Sequence, residues 1–289
     1  MNIEISIAGA FCHYNDILKL YTKYSKLLKN NLVVYDAYND SVWNGCRTFL
    51  EAPTHFDLTK LRTYNKLGIG VAITFSNDII DVSLPDENKV LFELNKSPLN
   101  SVIIVNEDLY KHIKKNYKNL KVMYSVSGFP DLNFKNIKSL EQKYDKICPR
   151  YELVFNPKFY NFVDVSKYKI MMNDTCKWGC TLWDAHFKAV NKLVREKCND
   201  WSVIEKTRFC VMSNEHDNPD NGWQKNKDKF GDNLGMDLNA NAVANALKIG
   251  YRSFKISGRE FKEEFFSEVA EQLNIISEGI KLYAKNSKL

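Results

Sequence analysis

Short apolar runs alternate along the chain with longer stretches in which apolar residues recur every three or four positions. Residues 3–8 read as a first strand, and Ile17, Leu20, Tyr21, Tyr24, Leu27 and Leu28 draw a helical stripe over 14–28. Leu32 to Tyr35, Gly70 to Phe75 and Val102 to Val105 supply three further strands, the last followed by a helix through Tyr110 and Ile113. Leu120 to Tyr124, Tyr151 to Phe155, Tyr168 to Met172 and Ser253 to Ile256 bring the strands to eight. Most are continuous apolar runs, the pattern of parallel strands covered on both faces.

Nearly every run ends in a polar residue: Asp36, Ser76-Asn77, Asn106-Glu107, Ser125, Asn156, Asn173-Asp174 and Ser257. Any one of these can simply mark a turn. Taken together they match the way a TIM-like (β/α)8 barrel gathers its active site at the carboxyl ends of its strands. The fold expected is therefore an α/β, TIM-like (β/α)8 barrel, with an open doubly wound sheet as the rival. The barrel is expected to be distorted, because roughly eighty residues separate the seventh strand from the eighth where about thirty suffice. That stretch, 174–251, reads as a long active-face insertion within a single domain spanning 1–289. It holds one amphipathic helix (Trp183, Phe187, Val190, Val194) and a polar tract from Asn214 to Asn233 with too few apolar residues for its own core. Phe265, Val269, Leu273, Ile276 and Ile280 form the stripe of a closing helix.

Composition adds limits. A hydrophobic fraction of 44% is globular, and a net charge of +6 from 41 basic and 35 acidic residues permits an anionic small molecule or RNA as ligand. No dense Lys/Arg block announces nucleic-acid binding. No run approaches the length of a membrane span, and the first residues alternate like a strand without the layout of a signal peptide, so a cytoplasmic location is expected. Seven cysteines, an odd number at irregular spacing, argue against a disulfide framework there.

Candidate chemistry concentrates in Asn173-Asp174-Thr175-Cys176-Lys177-Trp178-Gly179-Cys180, directly after the seventh strand. Cysteines four apart on a turn can face one metal ion or cluster, but two thiols complete neither a zinc site nor a cubane. Further ligands could be Cys46, Cys148, Cys210 or His186. A radical SAM site would need a third cysteine where Trp183 stands. Gly45 before Cys46 allows a tight backbone approach to a ligand, or is simply a turn glycine. Phe254-Lys255-Ile256-Ser257-Gly258-Arg259 passes from the last strand into the last helix and fits an anion site, or an ordinary helix start with an ion-paired arginine. Nucleophile-elbow, zincin, Walker and dinucleotide signatures are absent, and His13, His55, His112 and His216 have no partner at ligand spacing.

Asn173-Asp174-Thr175-Cys176 with Cys180 and His186, together with Phe254 to Arg259, resembles the signatures of the collagenase-like peptidase family U32. The Thr74-Phe75-Ser76-Asn77 and Asn44-Gly45-Cys46-Arg47 regions are similar to that family's early barrel. The resemblance implies a TIM-like barrel whose members often carry an oxygen-sensitive 4Fe-4S cluster and take part in oxygen-independent hydroxylation of RNA or of a quinone, with prephenate as oxygen donor. It implies cluster ligands Cys46, Cys176, Cys180 and Cys210, and a catalytic group of Lys255, Arg259 and Asn173, with the two cations holding an anionic group. It also implies a related partner subunit, or a second copy of the chain. The chain departs from the family pattern at Val163 and its neighbours, where a cysteine is usual, and at Asp174, where glutamate is usual. The alternative is a peptidase or other hydrolase, thiol-dependent or with zinc on the same cysteines and a carboxylate such as Glu107 as general base.

Overall fold

The computed structural model describes residues 2–45, 54–128, 136–177, 183–198, 200, 234–257 and 263–286, with the backbone alone for 174–177 and 234–236. The chain opens with β1 (Glu4–Ala8), α1 (Tyr14–Lys23), α2 (Ser25–Leu28), β2 (Leu32–Asp36), α3 (Leu58–Lys66) and β3 (Gly70–Phe75). It continues through α4 (Pro85–Leu94), β4 (Ser101–Ile104), α5 (Glu107–Asn116), β5 (Lys121–Tyr124), α6 (Ile137–Lys143) and β6 (Lys146–Ile147). Two short helices, α7 (Tyr151–Val154) and α8 (Pro157–Tyr160), lead to β7 (Lys169–Met171), β8 (Asn173–Lys177) and α9 (Trp183–Arg195). The last elements are β9 (Leu234–Asp237), α10 (Ala240–Ile249), β10 (Ser253–Ile256) and α11 (Phe265–Asn286).

Eight strands form one parallel sheet in the order β6-β5-β4-β3-β2-β1-β10-β7. A parallel bridge between Ile147 and Tyr168 brings its two edges together. Following the paired residues around the sheet and across that bridge returns to β1 displaced by eight residues, the stagger of a TIM barrel. The expected barrel is the observed one.

The apolar character of the strands comes from their outer faces. Ile5, Ile7, Val34, Val71, Ile73, Phe75, Val102, Ile104, Val122, Ile170 and Phe254 are sealed beneath the helices at 0% exposure. The closing helix α11 buries Phe265, Val269, Leu273 and Ile276 as its stripe predicts, and meets α10 at Gly279, where an added Cβ would lie 2.6 Å from Val243. Asp57, Asn106 and Asn239 cap α3, α5 and α10 through their side-chain oxygens.

The sixth strand lies elsewhere than expected. Tyr151 to Phe155 form helix α7 and its C-cap, and β6 is only Lys146–Ile147. A run of four or five apolar residues does not distinguish strand from helix, and Pro149 has no N–H with which to prolong a ladder. Among its described residues the stretch 174–251 likewise contains two helices, α9 and α10, where one was expected. α10 packs Val243, Ala246 and Leu247 into the core and is the barrel's own helix before β10. The excursion proper is the antiparallel ribbon β8–β9 and what it carries.

The inner face differs from the outer. With eight strands and a stagger of eight, inward residues of alternate strands meet in layers. The lowest complete layer holds Val33, Ser101, Lys146 and Ser253, and the next Ser6, Ala72, Met123 and Lys169. Lys255 and Tyr35 stand one layer higher, towards the carboxyl ends. Contacts agree with this order: Lys169 Nζ donates to Ser6 Oγ at 2.7 Å and approaches Met123 Sδ at 3.5 Å.

Candidate functional site at the barrel mouth

The mouth is organised by the way β7 leaves the barrel. The Met172 N–H donates to the Lys255 carbonyl at 2.7 Å, and its own carbonyl accepts from the Leu238 N–H at 2.9 Å. The ribbon β8–β9 therefore rises directly from the carboxyl end of β7. At its root, Asn173 Nδ2 donates to the Ser257 carbonyl at 3.2 Å, and Asn173 Oδ1 accepts from the Ser257 N–H at 2.8 Å. One carboxamide thus imitates a ladder rung and ties the start of the ribbon to the segment leaving β10. Asn173 acts here as a positioning residue.

Lys255 points into the barrel beneath this clip. Its Nζ lies 4.5 Å from the centroid of the Tyr35 ring, close enough for a cation–π contact. The Tyr35 hydroxyl donates to the Ile256 carbonyl at 3.0 Å, which holds the ring in place. Ala8, Tyr35, Ala72, Ile103 and Met123 form an apolar cluster on this part of the inner wall, and Ser6 and Lys169 share the layer beneath Lys255 with Ala72 and Met123. A half-buried ammonium here can orient an anionic group arriving from the mouth, because its partial burial leaves its charge less screened than at the surface.

Opposite, α9 is docked on the loop after β3 by a polar network. Arg195 Nη1 donates to Asn77 Oδ1 at 2.7 Å and to Asp78 Oδ1 at 2.9 Å, and Asn191 Nδ2 also reaches Asp78 Oδ1. Asn77, fully buried, donates from Nδ2 to the carbonyls of Asn44 and Asn191. Gly45 packs against the same loop: a Cβ there would meet the Ser76 carbonyl carbon and oxygen at 2.5 Å. The close approach foreseen for Gly45 is thus to another backbone segment of this chain.

A buried pair follows β6. Arg150 and Glu152, with side chains 4% and 5% exposed, join Nη2 to Oε1 at 2.5 Å and Nε to Oε2 at 3.2 Å. The guanidinium lies 4.7 Å from the Trp183 ring, at the first residue of α9. Trp183 is 3% exposed and its indole N–H has no hydrogen-bond partner. Sequence reading passed over this group, since the arginine and glutamate sit in what looked like a strand. The only signal was two opposite charges flanking Tyr151.

On the β1 side the mouth has a polar hollow of about 230 Å³ lined by Cys12, His13, Asn15, Asp16 and Lys60 among others. Its thiol donates weakly to Asp36 Oδ2 at 3.8 Å, and His13 stacks flat on Phe265 at 3.8 Å. Asp36 itself accepts from the Phe11 and Ala37 N–H groups and fixes the loop after β1. Asn106 and Asn156 cap α5 and α8. Several of the polar strand ends therefore hold turns.

Of the residues nominated from sequence, Lys255 and Asn173 meet at the mouth. Cys176 lies on β8, in the irregular part of the ribbon between Asp174 and Lys177, and not on a simple turn. Cys46, Cys180, Cys210 and Arg259 lie outside the described residues. Cys148 is buried just after β6, at its mouth end, and not before the strand as expected. His186 sits on α9 with its ring parallel to that of Phe187. Glu107, considered as a general base, is bound by Lys143 Nζ at 3.0 Å from each carboxylate oxygen. Among the described residues no three His, Cys, Asp or Glu side chains converge to hold a metal ion. None of their helices is long and apolar enough to cross a membrane.

No family model matches the chain, and no curated protein matches it. Among solved structures it is similar to the U32 peptidase Mk0906, with a TM-score of 0.51 and 12% identity over 89% of this chain and 94% of that one. The fold is that of a U32 peptidase. The likeness spans nearly the whole of both chains.

Proposed function

We infer that the chain is a U32-type iron–sulfur protein taking part in oxygen-independent hydroxylation, or a related modification, of RNA or a quinone-type molecule. The observation that carries this reading is the Asn173–Ser257 clip. It joins the segment bearing Cys176 to the segment bearing Lys255 and Arg259, the two stretches in which the family resemblance resides. The cluster would be held by Cys46, Cys176, Cys180 and Cys210, a four-thiolate donor set suited to 4Fe-4S, and would supply one-electron chemistry at the mouth. Cys176, on a ribbon rising from that mouth, fits such a placement. Lys255 orients an anionic group of the substrate or oxygen donor at the mouth, and Arg259 adds a second cation two residues beyond Ser257. A related partner subunit or a second copy of the chain would complete the assembly, in the cytoplasm.

Purification without oxygen, followed by a visible spectrum and iron and acid-labile sulfide analysis, tests the reading. A broad band near 400 nm with about four irons and four sulfides per chain is expected, lost together with activity in Cys176→Ala. Anaerobically prepared protein with no iron would refute it.

Peptidase activity is the second reading, favoured by the activity named for the structural relative. It requires a base other than Glu107, whose carboxylate is engaged by Lys143. Stoichiometric zinc with chelator-sensitive cleavage of peptides would select it.

A further inference from the structure

The end of the barrel opposite the mouth is unevenly charged. The last turns of α2, α3, α4 and α5, with the loops that lead from them into β2 to β5, hold seven lysines and one carboxylate, Glu93. Glu93 is already engaged by Lys96 at 2.5 Å and Arg62 at 3.6 Å. Lys29, Lys66 and Lys118 are exposed and, like Lys121 at the start of β5, have no ion pair among the described residues. A lysine in the last turn of a helix offsets the dipole, which accounts for Lys66. Lys118 stands past the C-cap of α5 and Lys121 on a strand, where the dipole gives less reason for a cation.

The same loops raise apolar side chains into solvent. Leu67, between α3 and β3, is 42% exposed, and Leu99, between α4 and β4, is 39% exposed. Beside them Phe92, in the last turn of α4, is exposed with Lys96 Nζ 4.7 Å from its ring centroid. Side chains of asparagine lace these loops into one platform. Asn65 and Asn100 exchange carboxamide bonds at 2.8 and 3.0 Å, and the Asn119 N–H and Nδ2 donate to Asn95 at 2.9 and 3.0 Å. A Cβ on Gly70 would lie 2.4 Å from the Leu99 carbonyl oxygen, so the Leu99 backbone rests on β3. The Leu67 carbonyl accepts from the Tyr21 hydroxyl at 3.1 Å, and its N–H donates to the Tyr64 carbonyl at 3.0 Å. Backbones pinned in this way keep both leucines facing out.

We propose that this face docks on an anionic lipid bilayer, with Leu67 and Leu99 entering the headgroup region and Lys29, Lys66, Lys118 and Lys121 meeting lipid phosphates. The match is of charge and polarity together. Ammoniums on flexible stems suit an irregular array of phosphates, and leucines among them gain only where an apolar layer lies beneath that array. A nucleic-acid backbone would match the charge but leave the leucines in water, and Arg62, the arginine beside them, is tied to Glu93. Docking by this end holds the mouth towards the aqueous side. The inference is independent of the cluster and of the chemistry at the mouth.

Flotation of the full chain at low salt with phosphatidylcholine vesicles containing one-third phosphatidylglycerol tests it, with pure phosphatidylcholine vesicles alongside. The wild type is expected to float with the anionic vesicles and to stay behind with the neutral ones. Each lysine near an anionic surface contributes about fivefold, so Lys29→Gln/Lys66→Gln/Lys118→Gln should weaken partitioning about a hundred-fold with melting unchanged. Leu67→Gln/Leu99→Gln should weaken it about tenfold and leave retention on heparin unaltered, which separates insertion from simple attraction to a polyanion. A wild type that stays in solution with anionic vesicles, or floats equally with both kinds, overturns the proposal. So does a leucine variant that partitions like the wild type, or a chain that ignores vesicles yet binds duplex RNA through the same lysines.

Discussion

The Glu4–Lys169 pair offers a sharp test of how charge is carried inside this barrel. Lys169 is 4% exposed and Glu4 28%, with 2.6 Å between Nζ and Oε1. Burial alone would raise the Glu4 carboxyl; the Lys169 ammonium, which also hydrogen-bonds it, and Lys146 and Lys121 behind it outweigh that and hold it below its ordinary value. The two single substitutions should therefore be unequal. Glu4→Gln leaves an ammonium in the interior beside two other cations, and breaking a buried pair in this way costs about 3–5 kcal/mol. Lys169→Met leaves a carboxylate that is partly solvated and still faces Lys146 and Lys121, so its cost should be about 1–2 kcal/mol, below the buried-pair range. The double variant should lose less than the sum, with a coupling of about 1–2 kcal/mol. Urea unfolding at pH 7 measures all four corners of the cycle. The sign with pH follows from the lowered carboxyl. The stabilisation from Glu4 is complete above the unfolded pKa of about 4.3 and is lost as pH falls through the lower folded value. Glu4→Gln should lack that part of the acid limb. Equal costs for the two substitutions, or an additive double variant, would show that the pair is not buried as described and refute the reasoning.

Three other outcomes follow from the mouth. Gly45→Ala forces a Cβ to 2.5 Å from backbone atoms of Ser76, which cannot rotate away, and should cost about 3 kcal/mol or more in thermal unfolding. Asn173→Ala removes both bonds to Ser257 and should cost about 1–2 kcal/mol, while hydrogen exchange at the Ser257 amide accelerates and that at β3 does not. Arg195→Met frees α9 from Asn77 and Asp78, so limited proteolysis between β8 and β9 should speed up several-fold with little change in global melting.

The barrel was legible because its strands are sealed outside by helices, which forces apolar residues at every outward position and leaves continuous runs. β6 escaped for the same reason in reverse: Ile147 is its single outward apolar residue, and the conspicuous run at Tyr151 belongs to a buried helical turn. α10 escaped because Ala and Asn fill most of it and only Val243 and Leu247 mark an apolar side. Lys255 and Asn173 were found through motifs, and the structure brings them together. The interior lysines were not found, although each was visible within or beside an apolar run. Which face of a doubly covered strand points inward is set by register, and register is not written in a run without alternation. Arg150 and Glu152 were hidden by the misplaced strand.

The closure of the sheet has a consequence for how the molecule comes apart. β1 to β6 are neighbours in both sequence and space, whereas β7 and β10 are attached through the β1–β10 ladder on one side and, on the other, through the Ile147–Tyr168 bridge and side-chain bonds from Lys146 to Ser166 and between Glu141 and both Asp164 and Lys167. In backbone pairing the β6–β7 edge is thus the barrel's seam, next to the two-pair β5–β6 ladder, and the chain on either side of it forms two unequal staves. Strain applied to the cylinder, thermal or mechanical, will open it along that line first. β7 and β10 then swing outward as a flap on β1, carrying Lys255, Asn173 and the ribbon with them while the six-strand wall stays intact.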